Sequence, residues 1–194
     1  LQDSSAASDV YKRQILNNGS IIMRQGFDGP LITYTWSQAS TYSYTIDIRV
    51  PTSPTTGSFP VAILLHGAGG NGAAEISQWN NYLPNHILIA PTGFNNVWNI
   101  VDESDAPDFQ FLSDLMVQLE KFRNVRKVNG TAEISMIGIS NGAAMALRMG
   151  VEYAGSQLRY VVALVSQLHD QQWRSPNWYK PSDHENTDSN VVNR

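Results

Sequence analysis

The chain has 194 residues, 42% of them hydrophobic and 15% charged, enough for one globular domain with a sizeable core. A net charge of −4 without a long basic run argues against a nucleic-acid partner, and no apolar run reaches the roughly eighteen residues a membrane span needs. With no cysteine there is no disulfide framework and no thiolate metal site; the preferred reading below calls for neither a metal nor a cofactor.

Ser4 to Gln14 reads SSAASDVYKRQ. This resembles the in-frame translation of a transposase-based sequencing-library adapter. Residues 1–14 are therefore set aside as an adapter-derived scar, and 15–194 are taken as the N-terminal part of one domain. On that reading the natural N-terminus is missing, and the compartment stays open, secretion included.

Gly26 to Pro30 is a turn cluster. Leu31–Trp36 and Tyr42–Val50 alternate polar with β-branched and aromatic residues, which predicts two edge strands. Pro51 to Pro60 has loop composition. Val61–Leu65 is a continuous apolar run, the pattern of a strand buried on both faces. A glycine-rich loop follows, His66 to Gly72, then a helix over Ala73–Leu83. His86–Ala90 is a second buried strand, closed by Pro91-Thr92-Gly93. Residues 94–104 read as loop. Asp105–Arg123 is the clearest helix: Asp105 can cap it, Pro107 suits its first turn, Asp108 adds negative charge there, and Phe111, Leu112, Leu115, Met116, Leu119 and Phe122 form its apolar stripe. Asn129-Gly130 is a turn. Ile134–Ile139 and Tyr160–Val165 are two more buried strands, with a helix between them. Gln167 to Arg194 carries no apolar periodicity and reads as loop.

Alternation of continuous apolar strands with helices predicts an α/β fold, a mostly parallel sheet with helices on both faces. Right-handed crossovers then put the strand C-termini along one edge, where such sheets carry their sites. His66, the Pro91 loop, Ser140 and Ser166 all fall there.

The sharpest motif is Gly138-Ile139-Ser140-Asn141-Gly142, set between a strand and an Ala- and Met-rich helix. A serine on a tight strand-to-helix turn is lifted clear of the sheet as an exposed nucleophile, and the helix N-terminus behind it favours developing negative charge. Gly138 and Gly142 leave out side chains that would collide at such a turn.

The loop at Gly67 admits two readings. Gly67-x-Gly69-x-x-Gly72 satisfies a dinucleotide-binding fingerprint, which would suit a nucleotide-dependent oxidoreductase. That reading requires an acid at the end of the next strand to hold the ribose, and Ile89-Ala90-Pro91-Thr92 has none; a phosphate-binding lysine after Gly72 is also absent. The other reading is an oxyanion loop beginning His-Gly. Ala68 and Asn141 then supply the two backbone N–H donors, and His66 and Gly67 shape the loop.

With these motifs placed, the chain resembles the polyhydroxybutyrate-depolymerase and feruloyl-esterase-like family of α/β-hydrolases. The resemblance rests on VAILLHGAGGNG, ILIAPTG, Trp98-Asn99, Asp108-Phe109-Gln110-Phe111-Leu112 and GISNGAAMA, and covers about Tyr42 to Gln167. Gly142-Ala143 departs from the family's Gly-Gly, and Pro107-Asp108 from its Asp-Asp. The resemblance implies a three-layer α/β-hydrolase sandwich, truncated here after about the sixth strand. It also implies a serine esterase whose acyl-enzyme forms on Ser140. The substrate would be a polymeric or small-molecule ester: a polyester, a feruloyl or acetyl ester, or a small acyl ester.

A serine needs a base, and the base an orienting acid. In this fold both follow the nucleophile in the chain, the acid after the next strand and the histidine after one more. Both are expected beyond Arg194, leaving this stretch inactive by itself. His169 and His184, near Asp170 and Asp183, read as exposed loop histidines. Trp98 and Trp173, with Trp178 and Tyr179, either line a substrate pocket or pack a loop over its own aromatics. A non-catalytic binding protein on the same fold is the remaining alternative.

Overall fold

A computed structural model describes residues 32–38, 42–51, 57–100, 106–153 and 158–165, together with three short strands near the C-terminus. The strands β1 (Ile32–Gln38) and β2 (Tyr42–Arg49) pair antiparallel. They are followed by β3 (Val61–Leu65), helix α1 (Gly72–Trp79), β4 (Ile87–Thr92), a short 3-10 turn (Phe94–Asn96) and helix α2 (Asp108–Leu119). A small hairpin of β5 (Lys127–Val128) and β6 (Thr131–Ala132) precedes β7 (Ile134–Ile139), helix α3 (Asn141–Glu152) and β8 (Leu158–Leu164).

The main sheet has six strands in the order β1-β2-β4-β3-β7-β8. Strands β4, β3, β7 and β8 run parallel, and β2 joins β4 antiparallel. The C-termini of the parallel strands therefore share one edge. Every residue of Val61–Leu65 is buried, as its unbroken apolar run predicts for a strand covered on both faces.

Side chains alternate between the faces with period two. Ile63, Leu65, Ile87, Ile89 and Met136 join Tyr44 and Ile46 in one core with α2 and α3. The stripe Phe111, Leu112, Leu115, Met116 and Leu119 of α2 lies in that core, with Phe111 stacked on Tyr44 at 4.0 Å between ring centroids. On the other face Ala62, Leu64, Leu88, Ala90 and Ile137 pack beneath α1. Among the described residues that cover stops at β7. Tyr160 and Val162 on β8 share the face of Ile137 through the β7–β8 register, yet are 65% and 40% exposed.

Several elements differ from the sequence reading. Helix α2 starts at Asp108 rather than Asp105, and Pro107 at its N-cap makes no side-chain cap bond; Asp105 lies outside the described residues. Helix α1 ends at Trp79. The stretch from Gln167 was expected to be loop throughout, but it contains β9 (Trp173–Arg174), β10 (Asn177–Tyr179) and β11 (Val191–Val192), which form a sheet of their own in the order β11-β10-β9. Two- and three-residue strands are too short for periodicity to reveal. Asn129-Gly130 is the two-residue connection of the β5–β6 hairpin, with φ of 55° and 83°, the pair of positive values a type I′ turn requires. No helix among the described residues is long and apolar enough to cross a membrane.

The covered and open parts of one sheet face make a direct test. Leu64→Ala should cost about 2–5 kcal/mol of stability, because it leaves a cavity under α1. Val162→Ala should cost about 0.5 kcal/mol or less. Urea unfolding followed by circular dichroism measures both, and equal losses would mean that the face over β8 is not open.

Candidate active site

Strand β7 passes directly into α3 through Ser140, which has φ 52° and ψ −117°. Positive φ is strained for a residue with a Cβ and costs on the order of 1–3 kcal/mol. Local bonds hold the residue there. Its N–H donates to Leu164 O at 2.9 Å, and its carbonyl accepts from Ala144 N at 3.1 Å. The side chain is exposed at the C-terminal edge of the sheet.

The two flanking glycines are required by close approach. A Cβ on Gly138 would stand 2.1 Å from Gly142 O, and one on Gly142 would stand 2.3 Å from Leu65 O and 2.5 Å from His66 O. Glycine at 142 thus lets the first turn of α3 rest on the end of β3. The same approach brings the two loops together: a Cβ built on Gly67 would lie 3.6 Å from the Ser140 Cβ, in ordinary contact.

Within the loop after β3, Gly69 N donates to Asn96 O and Gly70 N to Gly67 O. Ala68 N makes no backbone hydrogen bond among the described residues. Asn141 is the first residue of α3, and a helix leaves its first N–H groups without an internal acceptor. These are the two N–H groups that the sequence reading nominated.

His66 is wholly buried. Nδ1 faces Gly67 O at 2.7 Å, and a carbonyl only accepts, so Nδ1 carries the proton. Nε2 accepts from Gly93 N–H at 3.0 Å. Both ring nitrogens are therefore engaged, and burial pulls the ring's pKa below its ordinary value, opposed by the bond to Gly67. A neutral imidazole with its lone pair occupied is a brace, not a proton acceptor for Ser140. The other described histidine, His86, lies just before β4, at the opposite end of the strands. His169 and His184 lie outside the described residues, as do Asp170 and Asp183.

Trp98 was open to two readings, and the structure supports the packed one. The residue is 2% exposed, so it offers no free face to a substrate pocket. Its indole Nε1–H donates to His66 O at 3.0 Å. Trp173 stands in β9, but its side chain lies outside the described residues. Asp108 Oδ2 accepts from Asn99 N at 2.6 Å and so pins the loop behind Trp98. Two further anchors escaped the sequence reading. The carboxamide of Asn141 bonds the backbone of Trp98, and buried Arg148 on α3 donates to Ile100 O at 2.5 Å while lying over the Phe109 ring. Arg148 was visible as a charge inside the apolar stripe Met145, Ala146 and Met149. The Asn141 contact, 43 residues long, left no local signal.

The nucleotide reading of the Gly67–Gly72 loop fits poorly. A phosphate would need the free N–H groups at the start of α1. There Ala74 N donates to Asn71 Oδ1 and Gly72 N to Thr92 Oγ1, each at 2.9 Å.

Because burial lowers the pKa of His66 in the folded chain, the unfolded chain binds more protons between that lowered value and the ordinary one of about 6.5. The contribution to stability is then complete above about pH 6.5, falls as the pH drops through it, and levels off below the folded value. His66→Gln should show a shallower loss than the unsubstituted chain. Urea midpoints from pH 5 to 8 measure the difference, and identical slopes would remove His66 from the acid response.

No protein-family model and no curated protein matches the chain. Solved structures do. A 2,6-dihydroxy-pseudo-oxynicotine hydrolase superposes with a TM-score of 0.55 at 19% identity, over 76% of this chain and 40% of its own. The acetyl xylan esterase from Aspergillus awamori gives 0.54 at 15% identity, over 70% and 53%. LpqC, a poly(3-hydroxybutyrate) depolymerase from Bordetella parapertussis, gives 0.54 at 17% identity, over 72% and 52%. The chain spans about half the length of these structures or less. Its strand order, its strand-to-helix turn at Ser140 and this likeness together identify the architecture as the α/β-hydrolase fold.

Proposed function

We propose that this chain carries the nucleophile and the oxyanion-binding half of a serine hydrolase that cleaves carboxylic esters. The observation that carries the reading is the strained, exposed Ser140 seated against the His66-Gly67 loop. The share of its structural neighbours that the chain covers is in keeping with residues 15–194 being part of a longer catalytic domain.

In this mechanism Ser140 Oγ attacks the ester carbonyl carbon. A histidine outside the described residues takes the Oγ proton, oriented by an acid that also lies outside them. The carbonyl oxygen becomes an oxyanion held by the N–H groups of Ala68 and Asn141, each able to contribute on the order of 3 kcal/mol. The C–O bond to the alcohol then breaks, and the histidine returns the proton to the departing oxygen. Water attacks the resulting acyl-Ser140 by the same steps and releases the acid. No metal or cofactor enters. Neighbours named as an acetyl xylan esterase and a poly(3-hydroxybutyrate) depolymerase support polymer esters as the substrate class, while feruloyl and small acyl esters rest on the sequence resemblance.

The full-length protein should hydrolyse p-nitrophenyl acetate or butyrate, and Ser140→Ala should lower kcat about a thousandfold or more. A fluorophosphonate probe should add to Ser140, as read by peptide mass spectrometry. Unchanged hydrolysis in the alanine variant would overturn the proposal.

A further inference from the structure

An oxyanion hole built from two loops works only if the loops keep a fixed separation, because its donors must meet one oxygen. Here the two donor-bearing loops follow β3 and β7 and have no covalent link near the site. Resting on the function proposed above, the geometry points to the side chains of Asn141 and Trp98 as positioning residues that latch the Ala68 loop to the Ser140 elbow.

The latch can be followed atom by atom. The Asn141 carboxamide meets the Trp98 backbone on both its polar sides: Oδ1 accepts from Trp98 N at 2.6 Å, and Nδ2 donates to Trp98 O at 3.0 Å. Trp98 passes the constraint on, since its indole Nε1–H donates to His66 O. His66 in turn is bonded to Gly67 O through Nδ1 and to Gly93 N through Nε2. A continuous run of hydrogen bonds thus leads from the residue after the nucleophile to the residue before Ala68. Trp98 and His66 are both buried, so water competes little for these bonds, and breaking one strands its partner.

The chemistry of the contact selects the amide. Only a group with an acceptor and a donor side by side satisfies both the N–H and the C=O of one residue. An aspartate would set an acceptor against Trp98 O, and an alanine would leave both backbone groups unpaired. The backbone N–H of residue 141, the nominated oxyanion donor, is present in every substitution, so the side-chain role can be separated from it.

The test uses the full-length protein. In Asn141→Ala, kcat for p-nitrophenyl butyrate should fall ten- to a hundredfold well below the melting temperature, with KM changed less than about threefold, because the loss falls on the transition state. Asn141→Asp should be at least as slow. Trp98→Phe keeps the ring and backbone but lacks the indole N–H, and its kcat should fall in the same direction. The Asn141→Ala, Trp98→Phe double variant should lose less than the product of the two single losses. Hydrogen–deuterium exchange should rise at residues 66–70 and 96–99 in Asn141→Ala, with β3 and β7 still protected. An active parent whose Asn141→Ala variant keeps its kcat would overturn the latch and leave the esterase reading intact. A parent without Ser140-dependent hydrolysis would remove the esterase reading, and loop exchange would then decide the latch by itself, unchanged exchange refuting it.

Discussion

The site depends on one contact, the seating of Gly142 against the carbonyls at the end of β3. A Cβ at that position would stand 2.3 Å from Leu65 O and 2.5 Å from His66 O, so α3 would have to lift away from both. The elbow would then separate from the loop that begins at His66. Glycine in the first turn of a helix is entropically unfavourable. Here it gives the close approach that brings residues of β3, β7 and α3, far apart in sequence, to one edge of the sheet.

Around that contact the fold buries several polar groups. His66, Asp108 and Arg148 all lie inside, with Trp98 beside them. Burying such groups is costly unless their hydrogen bonds are made. Each makes a bond to backbone of a loop that leaves the C-terminal edge: His66 to Gly67 and Gly93, Asp108 to Asn99, and Arg148 to Ile100. An apolar core could be as stable, but it would not fix loop registry so tightly, because apolar contacts have little directionality. Polar anchors below and an exposed serine above divide the labour between holding the geometry and using it.

The sheet was largely legible in the sequence because its signals are local. VAILL and Ile87–Ala90 are buried on both faces as their apolar runs predict, whereas Tyr160–Val165, read the same way, is largely exposed; the glycines at 138 and 142 mark the turn without reference to any partner. Asn129-Gly130 needed no tertiary information either. The anchors were harder to read. Trp98 sits in a stretch without periodicity, and its contact with Asn141 spans 43 positions. Asp108 at the start of a helix resembles a favourable dipole charge, and only the position of Asn99 reveals that its carboxylate holds a loop. The asparagine between Ser140 and Gly142 drew notice for its backbone, while its side chain carried the contact that no spacing rule encodes.

The strain at Ser140 ties the site to the far edge of the sheet. A φ of 52° at a serine persists only where neighbouring structure over-determines it. Two of its restraints come from the chain's own backbone: Ala144 N within the helix, and Leu164 O at the end of β8. The next residue, Val165, is itself at φ 61°, a rare conformation for a β-branched residue. Strain therefore lies on both sides of the Ser140 N–Leu164 O bond. Among the described residues β8 is also open on one face, at Tyr160 and Val162. Strand β8 thus supplies a restraint on the most strained position of the site. Whatever steadies β8 acts on Ser140 through the Ser140 N–Leu164 O bond and the β7–β8 pairing beside it, so the stability of that strand and the geometry of the nucleophile are coupled.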